Sequence, residues 1–249
     1  MSDIKVLTPS WSAPHRVHAA CTLRTGGVSV FPFNSLNVAA HVGDDALSVA
    51  ENRWRMRQQL RLPAEPTWLQ QVHGVRVANL DEDTALAAAD AAMTRRAGRV
   101  CVIQVADCVP VLFAARDGSA VAGAHAGWRG LAAGVLEATV DSLGIEAGEL
   151  CAWLGPGISR KHFEVGDEVR AACIAGDPEA GAAFEPNPRG RWQCDLYSLA
   201  RRRLARLGVR EVSGGDCCTY TDAERFFSYR RDGRCGRMAA LIWVGGGGS

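Results

Sequence analysis

Hydrophobic residues along this chain fall into short runs rich in aliphatic and β-branched residues, separated by glycine, proline and charged residues. Runs of this length and composition predict β-strands. The predicted strands cover residues 16–23, 76–80, 99–105, 109–114, 120–125, 150–154 and 238–244.

A helical period in the hydrophobic pattern predicts three helices, at residues 46–60, 130–143 and 195–207. In the second helix, apolar residues such as Leu131 and Val135 recur about every fourth position and form a broad stripe. In the third, leucines lie on one face and arginines on the other. Each helix is therefore expected to pack one face against a core.

The order of these elements indicates the fold class, because pairs of strands alternate with single helices and not in a strict βαβα order. That order favours an α+β layered sandwich of mixed sheets flanked by helices over a Rossmann-type fold. No repeat or linker divides the chain, so residues 1–244 are expected to form a single domain. Residues 245–249, GGGGS, are typical of a flexible linker scar and are left out of that domain.

The composition limits the classes of partner. The formal net charge is +1, with 28 Lys and Arg against 27 Asp and Glu, so no basic field attracts nucleic acid or an anionic membrane. No apolar run approaches the roughly 20 residues needed to span a bilayer, and the first residues do not resemble a signal peptide. We therefore expect a cytoplasmic protein that acts on small molecules.

The nine cysteines are an odd number without a repeating spacing, which argues against a disulfide framework. In a reducing compartment such cysteines are mostly buried thiols, with a metal-bound or catalytic thiolate among them. Five fit strand or helix interiors and are expected to be inert: Cys21, Cys101, Cys151, Cys173 and Cys194.

Three segments differ from the core pattern, because each places one metal-ligand residue at the end of a predicted strand beside glycine or proline. These are WLQQVHG at 68–74, ADCVP at 106–110 and GAHAGWRG at 123–130, with His73, Cys108 and His125 as the candidate ligands. Zinc accepts two imidazoles and a thiolate, and three protein ligands leave a fourth tetrahedral position for water. The pattern therefore predicts one catalytic zinc site.

The spacing of these residues also allows a structural role. A single histidine after a strand is often a hydrogen-bonded core residue, and a single cysteine is often a small buried hydrophobe. His125, however, precedes a glycine-rich turn at 127–130 and a predicted helix, whose first N–H groups attract anions. This order favours a functional site.

Four further motifs accompany the ligand segments: SLN at 35–37, HVGDD at 41–45, WLGP at 153–156 and FSYRRDG at 227–233. Together they resemble the YfiH-type laccase-domain family, also called multi-copper polyphenol oxidoreductases, over residues 21–244 or nearly the whole chain. The Cys217–Cys218 pair departs from the family pattern, and Cys218-Thr219 corresponds to the family's Cys-Thr.

The resemblance implies an α/β layered sandwich, similar in outline to the cysteine-hydrolase domain of cytotoxic necrotizing factor, with zinc on His73, Cys108 and His125. It also implies a purine nucleoside phosphorylase with adenosine deaminase activity, acting on adenosine, inosine, guanosine or methylthioadenosine. Phosphate would be the nucleophile for phosphorolysis, and zinc would lower the pKa of water to about 7 for deamination. We take this as the leading hypothesis, with Cys108, His125 and Arg129 as catalytic residues.

The family name multi-copper polyphenol oxidoreductase implies several coppers, and this can be tested by counting histidines. Several coppers held at once need about ten histidines, many in His-x-His pairs. This chain has six histidines and no such pair. A multi-copper mechanism is therefore not expected, although a single copper ion is a second candidate for the zinc site.

Polar residues beside the motifs are candidates for substrate binding: Asn37, His41, Arg53 and Gln71. Amide groups suit the edge of a base and its sugar hydroxyls, and a cation suits phosphate. A turn-stabilising histidine and a solvated helix face are the alternatives for His41 and Arg53.

Two arginine segments also leave a choice of role. Arg129 begins the helix after His125 and is expected to bind phosphate, unless it only pairs with Glu137 or Asp141. The charged turn at 230–232 is expected to be a solvated loop.

Three other functions remain as alternatives. A cysteine amidohydrolase editing peptidoglycan precursors would use Cys108 as nucleophile and His125 as base. A copper-dependent polyphenol oxidase and a non-catalytic metal-binding module are the other two. The expected partners are a nucleoside and phosphate, and the expected state is a monomer or weak homo-oligomer.

Overall fold

The structure of the protein is a computed structural model that describes residues 3–83 and 88–246. The strands within these residues are β1 (Val6–Leu7), β2 (Val17–Thr22), β3 (Val77–Asn79), β4 (Ala91–Thr94), β5 (Val100–Val105), β6 (Val109–Ala115), β7 (Val121–Ala126), β8 (Leu150–Leu154), β9 (Glu164–Val165), β10 (Phe184–Pro186), β11 (Trp192–Cys194), β12 (Glu211–Gly214) and β13 (Met238–Val244). The helices are α1 (Ala46–Gln59), α2 (Trp128–Ala133), α3 (Val135–Leu143), α4 (Asp167–Ile174), α5 (Leu196–Leu207) and α6 (Tyr229–Asp232). Residues 247–249 of the predicted linker lie outside the described residues.

Two large sheets form the centre of the molecule. One has the order β1-β2-β13-β5 and is antiparallel throughout. The other has the order β12-β8-β6-β7-β4-β3, with antiparallel strands in the middle and a parallel pair at each end. A small antiparallel sheet of β10, β11 and β9 completes the β structure in the described part of the chain. The predicted α+β class with mixed sheets is confirmed.

The sheets and helices stack as four layers. Val111 and Phe113 of β6 pack with helices α3 and α5, whereas Leu112 and Ala114 pack with the four-stranded sheet. Met56 of α1 packs on the outer face of that sheet. The central strands are thus buried on both faces, which is why they have continuous apolar sequences without alternation.

The helix predicted over residues 130–143 is two helices. Gly134 has a φ of 100°, a left-handed conformation that glycine adopts without the steric cost of a Cβ. It ends α2 and begins α3. As a result α2 is only 6 residues long. None of the helices in the described residues is long and apolar enough to cross a membrane.

All seven predicted strands are present, with ends that differ by one or two residues at most. The sequence pattern did not predict the remaining elements: β1, β4, β9, β10, β11, β12, α4 and α6. β4 has only 4 residues, all buried, and its alanines lack the β-branched composition typical of strands.

The register of the six-stranded sheet brings three parts of the chain to one edge. β6 and β7 pair antiparallel with Pro110 opposite His125, so the start of β6 lies beside the end of β7. β4 and β7 pair with Ala91 opposite Ala124, which places Asp90 next to His125. The candidate ligands therefore meet at this edge.

Candidate metal centre

Cys108 lies directly before β6, after a turn that is tightly held. Asp107 has a φ of 96°, which is strained for a residue with a side chain. Its carboxylate accepts hydrogen bonds from Thr219 Oγ1 and from the backbone N of Arg230, both at 2.6 Å. Its carbonyl accepts from Ile158 N at 2.8 Å. These three bonds offset the strain and fix the direction in which Cys108 leaves the turn.

His73 lies in a loop that wraps around the carboxylate of Asp90. Asp90 Oδ1 accepts from His73 N at 2.8 Å, and Oδ2 accepts from Val72 N at 3.0 Å and Gly74 N at 2.6 Å. His73 itself has a φ of 62°. Three successive N–H groups bound to one buried carboxylate hold this unusual turn and bring the imidazole to Cys108.

The three predicted ligands come together. His73 Nε2 is 3.8 Å from Cys108 Sγ, and the ligand atoms of His73, Cys108 and His125 all lie within 4.8 Å of one another. Tetrahedral zinc, with bonds of about 2.0–2.1 Å to nitrogen and about 2.3 Å to sulfur, needs donor atoms roughly 3.5 Å apart. The donor set and its spacing fit one zinc ion, with the cavity side open.

Asp90 also determines which nitrogen of His125 faces the site. Its Oδ1 is 2.9 Å from His125 Nδ1, so Nδ1 carries a proton and Nε2 remains to face Cys108. Burial raises the pKa of Cys108, but the charge of His125 and hydrogen bonds from both histidines outweigh burial and lower it. Burial lowers the pKa of His125, but the charge of Cys108 and the bond to Asp90 raise it. The pair therefore favours the thiolate, which is the form that binds metal.

Gly127 leaves the space that the ligands occupy. A Cβ at this position would lie 2.7 Å from Cys108 Sγ and 3.1 Å from His73 Cδ2. Any side chain would thus push two ligands apart.

We expect Gly127→Ala to weaken zinc binding by about ten- to a hundredfold, the range seen when ligand orientation is disturbed. Chelator competition measures this affinity. Gly148→Ala is the matched control, because a Cβ there meets no atom within 4 Å. Wild-type affinity in Gly127→Ala would show that the ligands are not packed as described.

A cavity of about 580 Å³ opens over the ligands. It is lined by the three ligand residues, by the predicted His41, Gln71 and Arg129, and by residues that were not predicted to bind substrate, including Gln104, Trp128, Phe163, Tyr229, Arg230 and Arg237. Volumes of about 300–1,000 Å³ are typical of small-molecule sites.

Asn37 and Arg53 are not among the residues that line this cavity. Asn37 is fully buried, and its amide bonds Asp44, Ala39 and the backbone of Arg237. Arg53 donates to the carbonyl of Val38 and stacks on Trp68, and it lines a different cavity. The hydrogen bonds of both residues are therefore structural.

Gln71 and His41 both line the cavity. Both ends of the Gln71 amide bond the backbone of Gln104, at 2.9 Å and 2.8 Å, so this side chain forms part of a fixed wall. Burial and the nearby charges of Arg237 and Arg53 lower the pKa of His41. A neutral imidazole can both donate to and accept from a polar ligand.

Three arginines line the cavity: Arg129, Arg230 and Arg237. None of them forms an ion pair within the described residues. Glu137, the expected alternative partner of Arg129, pairs with Arg203 at 2.6 Å. These arginines give the cavity wall positive charge that suits an anion, and Asp107 is the one carboxylate among the described lining residues.

Two predictions about this region need correction. The turn at 230–232 is not simply solvated, because Arg230 lines the cavity and its backbone N holds Asp107. The helix that begins at Trp128 has 6 residues, fewer than two turns, so its dipole adds less to anion binding than the predicted long helix would. The arginine side chains are therefore the main positive charges at this part of the cavity.

Asp90 is a residue of this site that the sequence pattern did not single out. It is an isolated acid between alanines, with no motif around it. The feature that distinguishes Asp90 is its complete burial, and burial becomes known only from the fold.

The fold and the site define a layered α+β protein in which the described residues bring three candidate metal ligands together at one cavity. A family model described as multi-copper polyphenol oxidoreductase laccase matches residues 18–245. The chain therefore belongs to that family, as its motifs indicated.

Similar proteins agree in length and fold. A purine nucleoside phosphorylase of Pseudomonas aeruginosa is 55% identical over 240 residues, covering 96% of this chain and 98% of the relative. The purine nucleoside phosphorylase YfiH of Escherichia coli K12 is 50% identical over 241 residues, covering 96% and 99%. The crystal structure of a Neisseria meningitidis protein superposes with a TM-score of 0.93 at 46% identity, covering 97% of this chain and 99% of that one. The similarity to named phosphorylases indicates an enzyme acting on small molecules.

Proposed function

We propose that this protein is a zinc-dependent purine nucleoside phosphorylase with adenosine deaminase activity. The observation that best supports this proposal is an open His-Cys-His centre in the wall of an arginine-lined cavity of nucleoside size. The relatives named purine nucleoside phosphorylases supply the reaction class.

The cavity offers aromatic and polar groups suited to a nucleoside. Trp128 and Tyr229 present flat apolar surfaces, and Tyr229 is 60% exposed, whereas Phe163 is nearly buried. A purine can stack on such rings while its polar edge meets the amide wall of Gln71 and Gln104. His41 is free to bond a sugar hydroxyl.

Arg129 is the group we assign to phosphate. Its guanidinium stacks at 4.4 Å on the ring of Trp128, which limits its motion while leaving its N–H groups free for an anion. In phosphorolysis a phosphate oxygen bonds C1′ of the ribose while the bond from C1′ to the base nitrogen breaks. Arg129 would hold the phosphate in line for that attack, and Arg230 and Arg237 would add positive charge.

His73, Cys108 and His125 would hold the zinc. When bound, zinc supplies a Lewis acid that makes a water molecule acidic near neutral pH, which suits attack on C6 of adenine. Asp90 keeps the proton on His125 Nδ1 and leaves its Nε2 free for the metal. The cavity walls hold the purine beside this centre.

A cysteine hydrolase is the second candidate, and one observation favours it. Asp90, His125 and Cys108 form a carboxylate–imidazole–thiol series, the arrangement of cysteine nucleophiles with an oriented base. A sulfur bonded to zinc at about 2.3 Å is a poor free nucleophile, so zinc and hydrolase chemistry exclude each other on the same atoms. We rank the hydrolase second because the arginines suit phosphate better than an amide.

Copper chemistry and a purely structural metal are less well supported. The described residues hold one three-ligand cluster of this kind, and the chain has six histidines, which do not suffice for several coppers. A structural zinc usually has four protein ligands, whereas this cluster has three and faces a cavity.

Product analysis on a nucleoside panel tests the reaction. We expect inosine to yield hypoxanthine only when phosphate is present, and adenosine to yield ammonia with or without phosphate. Chromatography separates the products. No consumption of any purine nucleoside, with cleavage of an aminoacyl amide instead, would favour the hydrolase.

A further inference from the structure

Asp90 forms hydrogen bonds with two of the three candidate ligand residues without being a ligand itself. It lies directly before β4, and the pairing of β4 with β7 sets its carbonyl 2.7 Å from His125 N. The same pairing brings its carboxylate to His125 Nδ1. Strand register therefore determines where this carboxylate lies relative to one ligand.

The same carboxylate also holds the loop of a second ligand. Its two oxygens receive four donors: the backbone N–H groups of Val72, His73 and Gly74, and Nδ1 of His125. Oδ1 alone bonds both His73 and His125. One oxygen atom thus positions two candidate ligands from distant parts of the chain.

Burial makes this arrangement difficult to replace. Asp90 is 0% exposed, so water cannot take over as acceptor if the carboxylate is lost. An asparagine offers only one acceptor oxygen. Its NH2 group would replace the other carboxylate oxygen, and it cannot accept hydrogen bonds from the N–H groups that point there. At least two of the four donors would lose their partner.

We propose that Asp90 is the positioning residue that assembles the metal centre, by fixing the His73 loop and the His125 tautomer through one carboxylate. This inference rests on the proposed metal site, and it is independent of which reaction the site performs. It assigns to Asp90 a role in metal affinity in addition to its contribution to the fold.

Zinc affinity of the purified full-length chain, measured by competition with a chromophoric chelator, tests this role. We expect Asp90→Asn to bind zinc about ten- to a hundredfold more weakly than wild type, the range typical of lost partners of metal-bound histidines. Asp81→Asn is the matched control, because Asp81 binds the other end of β4 through Thr94 Oγ1 and Arg95 N. It should keep wild-type zinc affinity.

Several outcomes would overturn the inference. Equal affinity in Asp90→Asn and wild type would do so, and so would equal losses in Asp90→Asn and Asp81→Asn, which would mark a general effect on the fold. A wild-type protein without zinc affinity would remove the proposed metal site itself, a failure distinct from the other two.

A second measurement needs no variant and covers the case in which Asp90→Asn does not fold. In the zinc-loaded wild-type protein, NMR should show a slowly exchanging, downfield proton on Nδ1 of His125. A proton on Nε2 instead, or none protected from exchange on this ring, would contradict the assignment.

Discussion

Replacing Cys108 and His125 together by alanine is expected to lower the zinc content from about one ion per chain to nearly none. The two residues supply a thiolate and an imidazole of a three-ligand cluster, and His73 alone cannot hold zinc at micromolar concentrations. Nucleoside turnover should fall with the metal. Elemental analysis of protein purified without added metal measures the zinc.

The control for this experiment removes the same residue types elsewhere. Cys217 and His162 are not among the residues that line the cavity, and His162 stacks on Tyr220 at 4.3 Å. The Cys217→Ala, His162→Ala double variant should keep its zinc. Unchanged zinc in the Cys108→Ala, His125→Ala variant would place the metal elsewhere.

Arg129→Ala is expected to lower kcat/KM for phosphorolysis by about ten- to a hundredfold, because the variant loses a charged hydrogen bond to phosphate and such a bond contributes roughly 1.5–3 kcal/mol. Deamination needs no phosphate and should fall much less. Zinc content and melting temperature should stay near wild type, since Arg129 forms no ion pair in the described part of the chain.

Arg170→Ala is a matched control for this variant. Arg170 stacks on Trp192 at 4.5 Å, as Arg129 does on Trp128, but it does not line the cavity. It should leave both reactions unchanged. Equal loss of phosphorolysis and deamination in Arg129→Ala, together with a lower melting temperature, would assign Arg129 to the fold.

Short stretches of sequence were enough to predict the candidate metal ligands and the long central strands. Cys108 directly precedes β6, His125 lies near the end of β7 and His73 lies in the loop before β3. Each is within two residues of a glycine or proline, and that feature was visible in the sequence. The long central strands were visible because burial on both faces demands continuous apolar runs.

The remaining features depend on contacts between distant parts of the chain. Asp90 has no local motif, and its importance comes from the β4–β7 register. Arg230 has the sequence of a solvated turn and reaches the cavity only because its backbone bonds Asp107, 123 residues away in sequence. Asn37 has the polarity of a binding residue, but it is fully buried and its amide bonds Ala39, Asp44 and the backbone of Arg237.

The measurement that tests the proposed function most directly is a zinc titration of metal-free protein, with hypoxanthine release from inosine followed at saturating phosphate. We predict no release before zinc is added, full activity at about one zinc per chain, and no release when phosphate is omitted. Release that continues without zinc, or that proceeds equally without phosphate, would contradict a zinc-dependent phosphorylase.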